Sequence, residues 1–262
     1  MEQTVRYEVD EGVGTITFAR PDAMNALDVA TKEQLLAAVT AAADDPRVRC
    51  VLLTGTGRAF CVGQDLREHV RLLTSGDASL WRTVPEHYNP TVTALATMDK
   101  PVVAALNGVA AGAGASLAMA ADLRIVAASA GFNLAFTGVA LSADTGASWF
   151  LPRLVGLGRA KDLLLRPRTV GAEESLAIGL ATEVVPDDEL AARAREVAVG
   201  LAAGPTAAYA SIRRVVAFSA EQPLVDSLEH EAHHMASTGG TADHAEAVQA
   251  FLEKRPPRFS GS

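Results

Sequence analysis

The sequence predicts an α/β core followed by an all-helical C-terminal region. Strand-like and helix-like segments alternate from the N-terminus to about residue 186, the pattern of a β/α core. From residue 187 onward no strand signal survives, and segments of helical periodicity follow one another. No low-complexity linker and no repeat of fixed period interrupts the chain. The expected division is therefore 1–186 as core and 187–262 as helical region, with no separate second domain required.

Residues 4–18, TVRYEVDEGVGTITF, alternate apolar and polar side chains on either side of a glycine-containing turn and read as a β-hairpin. ATKEQLLAAVTAAA carries apolar residues at helical spacing after Asp28, a candidate N-cap, and the apolar run RCVLLTG then reads as a buried strand. The alternation recurs downstream, with KPVVAALNG a strand, AGASLAMAAD a helix, DLRIVAA a strand and TEVV another. The polar, Trp-containing stretch 74–87 is the one candidate mobile insertion. Beyond it, the segments beginning DDELAARAREV, PTAAYASIRRV, PLVDSLEHEA and TADHAEAVQA read as successive helices.

At 262 residues and 49% hydrophobic, the chain can bury one substantial core. A net charge of −8 removes the electrostatic footprint that nucleic-acid binding needs. Two cysteines, Cys50 and Cys61, and no charged segment leading into an apolar run at the N-terminus make a cytoplasmic location the expectation. The longest apolar run, GVAAGAGASLAMAA, is shorter than a bilayer span and leads straight into Asp122 and Arg124, so a buried helix is expected and no membrane.

Candidate chemistry begins at the loop GTGRAFCVGQDL, whose glycines let main-chain N–H groups point into open space, where they can hold an oxyanion. It lacks the Gly-Lys-Ser/Thr ending of a P-loop, and a purely structural turn is the alternative. Cys61 has no histidine nearer than His69 and reads as a small buried hydrophobe. NGVAAGAGAS has Leu117 where a dinucleotide fingerprint needs its third glycine. Its small residues instead permit close backbone approach at a strand-to-helix junction with free N–H donors. Asp144, in ALSADTGASW, is either a helix N-cap or an acid whose apolar surroundings raise its pKa into a usable range. His230-Glu-Ala-His-His234 satisfies the zinc-protease spacing, yet it sits in the helical tail with little chain beyond it and reads as a solvated helix face, so no metal is expected.

Together and in this order, ARPDAMNAL, RAFCVGQDL, KPVVAALNGVAAGAGASLAMAADLRI and AFLEKRPPRF resemble the crotonase, or enoyl-CoA hydratase/isomerase, superfamily over nearly the whole length. The resemblance implies a crotonase (ClpP-like) fold of repeated ββα units, then helices that form a trimer, usually paired into a hexamer. It implies an acyl-coenzyme A thioester as substrate, with no cofactor besides the coenzyme A the substrate carries. It places the oxyanion-binding N–H groups at Val62 and Ala113. The coenzyme A edges fall at Met24, Asn25, Ala26, Ala59, Gln64, Asp65 and Leu66, with Phe251 and Lys254 reaching coenzyme A, often across a subunit boundary.

Where hydratases of the family carry two glutamates, this chain has Ser116 and Phe136, both in the implied acyl pocket. Asp144 instead matches the acid of a subgroup that includes the phenylacetate-pathway ring-epoxide isomerase, and HYNPTVTALA, SAGFNLAF and WFLPRLVG are similar to that subgroup too. The chain departs from it at Ser142-Ala143 and Gly146-Ala147, where the subgroup has Ile-Pro and Gly-Gly. The expectation is an acyl-CoA isomerase using Asp144. A one-acid hydratase and a non-catalytic acyl-CoA binder are the alternatives.

Overall fold

The computed structural model describes residues 3–262. Its frame is a six-stranded sheet in the order β1 (Val5–Asp10), β2 (Val13–Phe18), β3 (Cys50–Gly55), β5 (Val102–Leu106), β7 (Leu123–Ala127) and β10 (Glu183–Val185). Only the opening hairpin is antiparallel; every other pairing in this sheet is parallel. Parallel strands of this kind are covered on both faces, which explains the unbroken apolar runs of β3 and β5, all but two of whose residues are buried.

A second, smaller sheet orders β4 (Ala59–Cys61), β6 (Val109–Ala111), β8 (Gly131–Asn133) and β9 (Thr169–Gly171). Its first three members each follow a strand of the large sheet at a short distance, and a helix comes next: β3-β4-α2 (Leu66–Ser75), β5-β6-α5 (Ala113–Met119) and β7-β8-α6 (Ala147–Val155). This is the ββα repeat the family resemblance implies.

Helix α1 (Val29–Asp44) starts where Asp28 accepts a hydrogen bond from the Thr31 N–H, so the expected cap is present. Helix α5 is buried along its whole length, as expected for the longest apolar run. Among the described residues no helix is long and apolar enough to cross a membrane. The stretch 74–87 forms the short helix α3 (Ser79–Thr83) leading into a π-turn, Val84–Tyr88. Buried Leu80 and Tyr88 anchor it, so this segment is folded wall rather than a loose insertion. Helix α4 (Asn89–Thr97) continues from it and packs on α1.

Helix α9 (Leu190–Ala202), the first after residue 187, lays Leu190, Ala194, Ala198 and Ala202 on the sheet as part of the main core. Helices α10 (Thr206–Ser219), α11 (Leu224–Gly239) and α12 (Ala242–Glu253) stand further out. Arg213 of α10 ties them back by donating to the carbonyls of Leu95 and Met98 while paired with Asp122.

Candidate active site

The site is built on a backbone contact between the loop after β4 and the start of α5. A Cβ on Gly114 would lie 2.1 Å from the Cys61 carbonyl oxygen, and one on Gly63 would lie 2.8 Å from the Ala111 oxygen. Neither position tolerates a side chain, and Gly63 also takes φ +80°, which favours glycine. Main chain therefore meets main chain, and Val62 and Ala113 are set on either side of the junction. Among the described residues neither the Val62 nor the Ala113 N–H has a hydrogen-bond partner, and both residues line the same cavity of about 590 Å³. Ala113 opens α5, where an N–H has no partner within the helix.

Asp144 lies on the wall of that cavity. Its loop is fixed by the Ala147 N–H, which donates to the Asp144 carbonyl at 2.9 Å, and by the Ser116 hydroxyl, 3.4 Å from the same oxygen. The next residue, Thr145, is β-branched, buried and left-handed at φ +51°, a strained conformation of the kind that collects at functional sites. Its hydroxyl donates to Asp144 Oδ1 at 2.8 Å. Burial pushes the Asp144 carboxyl above its ordinary value, against the opposing Thr145 hydrogen bond. The capping alternative does not hold, since Gly146 occupies the N-cap of α6 and no side chain caps it.

Of the other expected positions, Met24, Ala26, Gln64, Asp65, Leu66 and Phe136 line the cavity. Ser116 is fully buried behind it, its hydroxyl also 3.3 Å from the Gly112 carbonyl. Asn25 turns its side chain inward: left-handed at φ +57°, it donates to the carbonyls of Thr56, Ala59 and Phe60 and accepts from the Arg20 N–H. Asn25 and the buried Ala59 thus hold the loop rather than face the cavity. Phe251 and Lys254 are exposed at the end of α12 and away from the cavity within one chain.

Cys61 is fully buried and its thiol is pushed up to about 12, so it is a packing residue. Asp65 caps α2 by accepting from the Arg67 and Glu68 N–H groups and pairs with Arg20 at 3.2 Å. Burial alone would raise its pKa; the Glu68 N–H and the Arg20 guanidinium outweigh that and hold it low. In the HEAHH segment, His230 stacks on Phe218 at 4.1 Å, and His234 Nδ1 lies 3.1 Å from the Ser211 hydroxyl.

Several lining residues were not foreseen. Arg58 and Arg67 flank the loop at the cavity mouth, with no ion-pair partner among the described residues, and Arg20 joins them. Their place beside the glycine loop was a usable signal for an anionic ligand. Tyr88, buried on the cavity wall, had no such signal.

The chain matches the Enoyl-CoA hydratase/isomerase family over residues 8–262. It belongs to that family. Over 258 residues it is 44% identical to a Rhodobacter capsulatus protein named "Probable enoyl-CoA hydratase", covering 98% of each chain. It is 39% identical to the 1,2-epoxyphenylacetyl-CoA isomerase of Escherichia coli over 261 residues, covering 100% of each. Among solved structures, the enoyl-CoA hydratase of Bacillus anthracis superposes with a TM-score of 0.90 at 32% identity, covering 99% of this chain and 100% of that one. The fold is thus the crotonase fold, and the protein is an enzyme of the acyl-CoA hydratase/isomerase class.

Because burial raises the Asp144 pKa, ionising this carboxyl disfavours the folded state. The sign follows: the penalty is absent below the unfolded value near 3.8, grows as pH rises through the interval up to the raised folded value, and stays constant above it. Asp144→Asn, whose Oδ1 can still accept from Thr145, is expected to be more stable than the parent at pH 7, with the gain vanishing near pH 3 to 4. Urea unfolding across that range checks it, and a destabilised variant at pH 7 would contradict the burial argument.

Proposed function

We propose that this enzyme is an acyl-CoA isomerase in which Asp144 moves a proton between two carbons of the acyl group while the Val62 and Ala113 N–H groups hold the thioester oxygen. The supporting observation is a count of carboxylates. Three line the cavity: Asp65 is committed to Arg20 and to capping α2, and Asp22 sits on the exposed Pro21–Ala23 turn. Asp144 alone is half-buried with no cation paired to it among the described residues, and at the two glutamate positions of family hydratases stand a buried serine and a phenylalanine.

The step balances without an outside reagent. The Asp144 carboxylate takes a proton from a carbon conjugated to the thioester, and the C–H electron pair moves toward the carbonyl to give an enolate. The same proton then returns to another carbon as the carbonyl re-forms. A raised pKa suits a group that must both accept and release that proton near neutral pH. The proposed substrate class is an unsaturated or ring-epoxidised acyl-CoA, its phosphates facing Arg20, Arg58 and Arg67.

Asp144→Asn is expected to retain coenzyme A ester binding while kcat falls by about 10²- to 10⁴-fold, as loss of a general acid-base group does. Undiminished turnover would remove Asp144 from the reaction. Ala113→Pro deletes one N–H at a helix position that suits proline, and a loss of about 10²-fold or more in kcat is expected. The higher identity to a hydratase-named relative supports a second reading, addition of water by one acid. Incorporation of labelled solvent oxygen into product decides between the two.

We also propose that α10 to α12 form an oligomer interface, as a trimer or a pair of trimers. Ile212, Val216, Leu224, Met235, Phe251 and Leu252 are all at least 60% exposed there, and large apolar side chains exposed together on neighbouring helices mark an interaction surface. That assembly would bring Phe251 and Lys254 toward a neighbouring cavity. A monomer by sedimentation would overturn this.

A further inference from the structure

Behind the loop lies a polar network that the proton shuttle does not use. Gln64 Oε1 accepts from the Tyr88 hydroxyl at 2.5 Å and from Lys32 Nζ at 3.3 Å. Lys32, buried to 2% exposure, also donates to Thr83 Oγ1 at 2.7 Å and has Glu68 at 3.7 Å as counter-charge. An ammonium only donates, so the atom facing Lys32 must be the amide oxygen, and the carboxamide cannot turn over. The consequence is that Gln64 Nε2 is left buried without a hydrogen-bond partner among the described residues. Gln64 stands in the partition between the large cavity and a smaller one of about 220 Å³, and Tyr88 shares the large cavity's wall with Asp144. The phenol is held protonated by burial and by the nearby Asp144 charge.

We infer that Gln64, its amide oriented by Lys32 and Tyr88, is a specificity-determining residue that selects acyl groups carrying an oxygen acceptor over plain hydrocarbon ones. The inference rests on the acyl-CoA reading of the cavity but not on the role of Asp144. A buried donor with no partner is a standing penalty, which an acceptor on the ligand relieves and a hydrocarbon leaves in place. Sites of this kind discriminate strongly against analogues that lack the polar group.

The test uses non-reacting, isosteric ligands. Cyclohexylacetyl-CoA is compared with the 2-, 3- and 4-tetrahydropyranylacetyl-CoA esters, in which one ring CH₂ is an ether oxygen, by calorimetry on the intact enzyme. At least one ether is expected to bind about tenfold more tightly than the hydrocarbon, a difference of about 1.4 kcal/mol. In Gln64→Leu the ratio is expected to fall to about one. Lys32→Met, which frees the amide to rotate, should lower the ratio while leaving the affinity for free coenzyme A unchanged, and it carries the test if Gln64→Leu does not fold. Equal or weaker binding of every ether in the parent enzyme overturns the inference and points to a water in the smaller cavity as the partner of Nε2. A preference that survives in Gln64→Leu overturns it too. Failure of all four esters to bind would sink the acyl-CoA reading as well, whereas an active Asp144→Asn would sink the isomerase mechanism alone.

Discussion

The site depends on the approach of two backbones at the Gly63 and Gly114 positions. A Cβ at Gly114 would stand 2.1 Å from the Cys61 oxygen, so any other residue would push α5 away from the loop after β4. Segments some fifty residues apart meet here only because nothing but main chain fills the gap. The neighbouring features serve this contact. Asn25 spends its amide on three loop carbonyls, and Cys61 fills the space beneath as an inert thiol. The side chains of Val62 and Ala113 are free to vary because the main chain makes the contact.

The same junction sets the electrostatics. Ser116, one turn into α5, reaches the carbonyl of Asp144, so the helix that would supply one N–H in the proposed reaction also steadies the loop that carries the proposed acid. Donors without partners and a carboxyl raised by burial are both unfavourable features of an empty fold. In the proposed reaction each would become favourable, as an acyl thioester accepts from the first and exchanges a proton with the second.

The large sheet was legible in the sequence because parallel strands buried on both faces leave continuous apolar runs, as in CVLLTG and VVAAL. The second sheet was not: β4, β6, β8 and β9 have three residues each, too few to display a period. Stretch 74–87 read as loose because its polar composition hid Leu80, which fastens it together with the adjoining Tyr88. At the site, the glycine loop and Asp144 could be named from local chemistry together with the family pattern. The Lys32–Gln64–Tyr88 network could not, because each member gains its meaning from contacts 24 to 51 positions away in the chain.

The absence of a second acid at positions 116 and 136 has an electrostatic consequence for the proposed reaction. Before proton transfer the donor end of the cavity holds one negative charge, on Asp144; afterwards Asp144 is neutral and the charge lies on the thioester oxygen between Val62 and Ala113. The net charge never changes, so the buried surroundings need not absorb a second anion at any stage. Another carboxylate there would put two like charges in a poorly solvated space, and one would take up a proton to relieve the repulsion. Ser116 and Phe136 avoid that conflict, and a site with one mobile charge is suited to moving a proton within a substrate. Activating a water takes an additional proton-accepting group, which these two positions do not supply.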